Sequence, residues 1–262
     1  MTLVKICGLR DPETAIESAQ AGADFIGLVF AESKRKVTPQ ECYDIIEALN
    51  ARRLTPRGSG TGPGSPPSSL LPPPSFDGPR RGEVSAGSWY PAWADAIELA
   101  LMRYRPIIVG VFADQSVSDV NEIAETAGID FVQLSGGEDD EFVARIEKPV
   151  IRTIHVQSGM TAFDVNDAAP AGYSAALHLD AASKDMRGGT GESFDWELAA
   201  EVAQRTPFLL AGGLAPENVA EAVAQVRPWG VDVSSGVESG GKKDIEKIRA
   251  FIRAAKGARV GN

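Results

Sequence analysis

The chain of 262 residues is poor in the residues that build disulfide frameworks and metal centres, with only two cysteines and two histidines. Cys7 and Cys42 do not make a disulfide framework, which points to a reducing compartment. Nor do they, with His155 and His178, show the spacing of a metal site. Basic residues are also in deficit: 26 Lys and Arg face 36 Asp and Glu, a formal net charge of −10. That balance argues against a nucleic-acid partner, because phosphate contacts need a basic face. It leaves room for a local site that holds an anion. No apolar run approaches the ~20 residues of a membrane span, and the chain starts on a strand–helix pattern rather than a charged and then apolar leader. A cytoplasmic protein with no membrane partner is expected.

What is present is a regular alternation. Short apolar strands are expected at 3–7, 24–30, 107–112, 130–134, 149–154, 175–180, 207–211 and 230–234. Helical stretches follow at 12–21, 38–50, 116–127, 138–147, 160–169, 194–204, 215–226 and 244–256. Val219, Ala222, Val223 and Val226 mark one helical face, and Ile245, Ile248 and Ile252 another. Strand–helix units repeated in this way predict an α/β fold, a single (β/α)8 TIM barrel over residues 1–262. One segment breaks the rhythm after the second strand. Residues 51–88 form a low-complexity insertion rich in Pro, Gly and Ser, a composition that cannot bury enough apolar surface to offset its ordering entropy. It reads as a tolerated surface insertion within one βα unit, with a docking arm as the functional alternative. Residues 89–103 read as helical and extend the second helical layer.

Strand alternation then sorts the polar residues by face. In LVKICGLRD (3–11), Lys5 and Cys7 share one face and Val4 and Ile6 the other. An ammonium beside a thiol favours the thiolate, which suits a base or nucleophile at a strand's C-terminal end. A small buried cysteine would be the plain alternative. Gln133 and Ser135, His178 and Asp180, and Asp232 and Ser234 likewise lie opposite the apolar faces of their strands. All lie toward strand C-termini, where barrel active sites are built. Gly212 and Gly213 follow the seventh strand, and Ser234, Ser235 and Gly236 follow the eighth. Loops after these two strands frequently bind phosphate through backbone N–H groups, and glycine permits close approach. A further loop, Arg187 to Gly191 with Gly189, could close over a substrate.

These residues resemble the phosphoribosylanthranilate isomerase family of tryptophan biosynthesis. The resemblance rests on KICGL (5–9), GADFIGLVF (22–30), SKRKV (33–37), VGVF (109–112), VQLSG (132–136), LDAASKDMRGGTGESFDW (179–196), LLAGGLAPENV (209–219) and GVDVSSGVES (230–239). The insertion and the 179–196 wording are similar to the fungal branch, where the barrel is often fused to other pathway enzymes; fusion to, or work beside, such enzymes is the implied partnership. The resemblance implies an Amadori rearrangement of a small phosphorylated substrate, with Cys7 as general base and Asp180 as general acid. It implies that Arg35 holds the anthranilate carboxylate, whereas a plain reading of that loop is a solvated basic turn. Lys5, Gln133 and Asp232 are expected to bind substrate, and Gly189, Gly191, Gly212, Gly213, Ser234, Ser235 and Gly236 its phosphate. No metal or organic cofactor is implied, because a protonated imine serves as electron sink. Ser135 stands where many family members carry histidine. Indole-glycerol-phosphate synthase and ribulose-phosphate epimerase barrels would want lysine–glutamate or metal-ligand sets that are not visible. A degenerate binding barrel is the non-enzymatic alternative.

Overall fold

A computed structural model describes residues 1–52, 78–80, 83–102, 106–180 and 196–258. Eight parallel strands close into a barrel in chain order: β1 (Leu3–Cys7), β2 (Phe25–Val29), β3 (Ile107–Phe112), β4 (Phe131–Leu134), β5 (Val150–His155), β6 (Ala176–Asp180), β7 (Phe208–Ala211) and β8 (Gly230–Val233). Closure comes from β1 pairing with β8, with Lys5 opposite Asp232. The outward faces of the strands, including Val4, Ile6, Leu177, Leu179, Val231 and Val233, pack under the helices in the main core. The barrel's interior carries a separate apolar layer that includes Leu3, Phe25, Ile107, Phe131 and Leu209. The alternation read from sequence is therefore the division between shell and lumen.

Helices α1 (Pro12–Ala21) and α2 (Pro39–Ala51) each start directly after a capping residue. Asp11 accepts from the Thr14 N–H, and Thr38 and Glu41 form a reciprocal capping box, each followed by proline in the first turn. Helix α3 (Ala86–Leu101) departs from expectation. Rather than extending the flank, its Trp93, Ile97 and Leu101 pack against the lumen layer. Trp89 donates to the Ser174 carbonyl and Glu98 accepts from Trp229, so α3 runs against the segments that lead into β6 and β8. It closes the N-terminal end of the barrel, opposite the strand C-termini. Of the expected insertion 51–88, residues 53–77 and 81–82 lie outside the described residues.

The remaining layer consists of α4 (Val117–Thr126), α5 (Asp140–Val143), α6 (Ala162–Asp167), α7 (Trp196–Ala203), α8 (Val219–Val226) and α9 (Ile245–Gly257). Helix α5 is a single turn rather than the stretch expected over 138–147. A 3-10 turn (Ser235–Val237) and a two-stranded ribbon, β9 (Glu238–Ser239) with β10 (Lys242–Lys243), separate β8 from α9. Among the described residues no helix is long and apolar enough to cross a membrane.

Candidate active site

At the C-terminal end of the barrel a cavity of about 260 Å³ opens between β1, β4, β6, β7 and β8. Cys7, Gln133, Asp180, Gly212, Gly213, Asp232, Ser234, Ser235 and Gly236 all line it, so nine residues singled out by strand face or loop position meet in one place. Gly189 and Gly191, with the loop Arg187–Gly191, lie outside the described residues.

Beneath the cavity runs a continuous polar chain. Lys5 Nζ is 2.9 Å from Asp232 Oδ2, and the same oxygen is 3.0 Å from His178 Nε2. His178 Nδ1 lies 3.2 Å from Thr153 Oγ1, which lies 2.9 Å from Ser135 Oγ. Gln133 Nε2 donates to both hydroxyls, at 3.3 and 3.1 Å. Two acceptors in this layer, Gln133 Oε1 and Asp232 Oδ1, are buried with no hydrogen-bond partner. Both residues line the cavity, so the unmet acceptors are available to hydroxyl donors of a bound molecule.

Lys5, expected to bind substrate, lies beneath the cavity and not along its wall. Its side chain is 0% exposed, and its ammonium is committed to Asp232 and Cys7. Burial alone would lower its pKa, but Asp232 and Cys7 more than offset this and raise it, so Lys5 stays charged. Gly27 of β2 makes the arrangement possible: a Cβ there would fall 2.8 Å from Cys7 Sγ and 3.1 Å from Lys5 Nζ. Asp232 is pulled the other way. Burial would raise it, but Lys5 and His178 bring it down to about 2.

The thiol also departs from the simple reading of the Lys–Cys pair. Burial pushes the Cys7 pKa up, and the opposing Lys5 charge reduces that rise without reversing it, partly because Asp232 stands behind the lysine. A short strand motif shows the neighbour; it does not show how deeply the thiol is buried.

Arg35 sits at the rim on the turn after β2, its Cδ lying over Gly8. A Cβ at Gly8 would come within 2.5 Å of that carbon, and the residue's φ of +77° also requires glycine. The guanidinium grips Glu238 with two bonds, Nε–Oε1 2.6 Å and Nη2–Oε2 3.1 Å. Lys243 Nζ bonds the Ser234 carbonyl at 2.7 Å and Glu238 Oε1 at 3.2 Å. Glu238 and Lys243 were not found by strand-face reasoning, since both belong to a loop ribbon with no periodic signal. His155 was also missed as a site residue. Its Nε2 bonds the Ser135 carbonyl at 3.0 Å, and its Nδ1 stands 3.8 Å from Asp180 Oδ2. An imidazole from β5 thus borders the position where the family pattern has histidine on β4.

The two glycine-rich loops support each other. Asn218 accepts from the Ala215 N–H and donates to the Gly213 carbonyl, fixing the loop after β7. Gly236 packs so closely on this loop that a Cβ would fall 1.9 Å from the Leu214 carbonyl oxygen. Gly212 and Gly213 have φ of +90° and +65°, and their N–H groups have no backbone partner among the described residues. Such unpaired donors at a cavity wall suit an oxyanion.

Fold and site together define a (β/α)8 barrel of the kind that processes a small phosphorylated molecule at its C-terminal mouth. A family model described as N-(5'phosphoribosyl)anthranilate (PRA) isomerase matches residues 84–254. An N-(5'-phosphoribosyl)anthranilate isomerase of Dehalococcoides mccartyi is 37% identical over 263 residues, spanning 98% of this chain and 97% of that protein. A multifunctional tryptophan biosynthesis protein of Phycomyces blakesleeanus is 39% identical over 97% of this chain, which spans only 32% of that longer protein. Among solved structures, the phosphoribosyl anthranilate isomerase of Thermotoga maritima superimposes with a TM-score of 0.67 at 31% identity, covering 98% of this chain and all of that one. The chain belongs to the N-(5'-phosphoribosyl)anthranilate isomerase family. Relatives of similar identity come from a fungus and from bacteria, so the similarity does not single out the fungal branch.

Proposed function

We propose that this protein isomerises N-(5-phosphoribosyl)anthranilate to 1-(2-carboxyphenylamino)-1-deoxy-D-ribulose 5-phosphate, by general acid–base catalysis between Cys7 and Asp180. The observation that carries the reading is that both residues line one cavity whose far wall is the Gly212–Gly213 and Ser234–Gly236 loops. A substrate phosphate on those loops places the sugar across the mouth of the barrel.

Asp180, with its side chain 31% exposed, gives a proton to the furanose ring oxygen. The C1–O bond breaks and the nitrogen lone pair forms the protonated imine. Cys7 thiolate then takes the C2 proton, and the electron pair of that C–H bond moves toward the iminium nitrogen to give an enolamine. Tautomerisation of the enolamine yields the ketone. No net atom is gained or lost, as an isomerisation requires. The unmet acceptors Gln133 Oε1 and Asp232 Oδ1 receive sugar hydroxyls, and Arg35 receives the aromatic carboxylate. Lys5 works through Cys7, limiting the rise of its pKa.

The two free thiols support a reducing, cytoplasmic setting. The match to part of the Phycomyces protein supports work beside other tryptophan-pathway enzymes; bacterial relatives of nearly this chain's length weigh against fusion as a requirement. Anthranilate fluorescence gives the direct test. Freshly prepared substrate should lose its emission at a rate proportional to enzyme, and binding without turnover would refute the activity.

A further inference from the structure

One buried carboxylate at the rim has no role in the steps above. Glu238, at the start of β9, has a side chain only 8% exposed, yet it faces three cations. Its Oε1 accepts from Arg35 Nε and Lys243 Nζ, and its Oε2 accepts from Arg35 Nη2 with Lys34 Nζ 3.7 Å away. Burial opposes its ionisation, but the hydrogen bonds from Arg35 and Lys243 and their charges prevail and hold the carboxyl down to about 2. The ion pair is therefore intact throughout the working pH range.

The geometry of the grip decides its use. Glu238 occupies the Nε–Nη2 edge of the guanidinium, and Nη1 has no hydrogen-bond partner among the described residues. A guanidinium offers a second edge, Nη1–Nη2, that can take another planar carboxylate. One anion among Lys34, Arg35 and Lys243 also leaves the cluster with surplus positive charge. Through Lys243, the same carboxylate is tied to the Ser234 carbonyl of the loop after β8. The long, flexible arginine arm is thereby fixed to the wall of the cavity before any ligand arrives.

We infer that Glu238 is the positioning residue for aromatic-carboxylate recognition: it clamps Arg35 by one edge and presents the other to the substrate. This rests on the proposed role of Arg35. A contrary role is physically distinct, since a resident carboxylate could instead compete with the ligand for the arginine, and then its loss would tighten binding.

The test compares two ligands by calorimetry: reduced 1-(o-carboxyphenylamino)-1-deoxyribulose 5-phosphate, and its phenylamino counterpart without the ring carboxylate. Wild type is expected to favour the first. Glu238→Gln keeps size but loses the charge and turns one of the two oxygens that accept from Arg35 into a donor, so it should weaken the carboxylated ligand roughly 10-fold. It should leave the other ligand within about twofold, and the kinetic effect should fall on KM rather than kcat. Glu238→Asp, which keeps the charge, should recover part of the preference and serves the same comparison if the glutamine variant does not fold. Equal weakening of both ligands, tighter binding of the carboxylated one, or no change would each overturn the inference. A wild type indifferent to the ring carboxylate would instead overturn the role of Arg35 on which it rests.

Discussion

Lys5→Met removes the one charge placed between the proposed base and its buried counterion while keeping an unbranched stem of similar length. Two consequences separate. Asp232 loses the ammonium at 2.9 Å and keeps His178 at 3.0 Å. Breaking a buried pair from one side costs about 3–5 kcal/mol, and the surviving histidine bond puts this case near the lower figure. The sign follows from the direction of the shift. Asp232 is held down to about 2, so its contribution is present above the ordinary aspartate range and lost as pH falls through that value. The variant should forfeit most of it at neutral pH. The second consequence is kinetic. Burial raises the Cys7 pKa and Lys5 is the largest opposing influence, so removing it lets the value rise further. Each unit of rise is tenfold in thiolate at pH 7. The smaller thiolate fraction lowers kcat/KM at pH 7 by on the order of tenfold or more and moves the acid limb of the rate profile, where the base is protonated, to higher pH. The assay is kcat/KM by fluorescence across pH, beside urea melts. Adding Asp232→Asn should restore much of the stability but only part of the limb. A loss of rate with the limb unmoved would refute the reasoning and assign Lys5 a purely architectural role.

Three further outcomes are expected. Asp180→Asn should lower turnover by on the order of 10²-fold or more while binding of a product analogue survives; a folded variant that stays active would move the acid elsewhere. Asp130, at the entry to β4, is raised to about 6 by burial, against the Ile108 N–H and Lys148. The native state therefore binds that proton more tightly than the unfolded chain, and stability falls as pH rises from about 4 to 6. Asp130→Asn should stabilise the barrel at pH 8 by about 1 kcal/mol, allowing for the site's partial exposure, and flatten that slope in thermal melts. Replacing 54–77 by a short Gly/Ser linker should leave kcat and KM within a few-fold, because loop-closure entropy rises slowly with length; a collapse of activity in a folded protein would make the segment functional.

The lumen was legible from sequence because a strand's side-chain period is two. Once Leu177 and Leu179 are assigned to the shell, His178 and Asp180 must face inward, and the same logic places Gln133 and Asp232. The helices expected from residues 12 and 38 are present, capped by Asp11 and Thr38. Three things were not legible, each for a physical reason. Periodicity identifies α3 as a helix but carries no information about which end of the barrel it covers. The rim cluster of Arg35, Glu238 and Lys243 joins a turn after β2 to a ribbon after β8, 203 residues apart along the chain for the arginine and glutamate, and no local pattern couples them. The sign of the Cys7 shift depends on burial depth set against Lys5 and Asp232, a balance that needs the folded site.

The central claim is that the Cys7 thiolate removes the C2 proton in a site otherwise competent to bind. The most direct measurement is turnover of fresh substrate by Cys7→Ala, with binding of the reduced product analogue measured on the same preparation. The account predicts a loss of turnover of roughly 10²-fold or more with affinity retained within a few-fold. Near-normal turnover by the folded variant would contradict it.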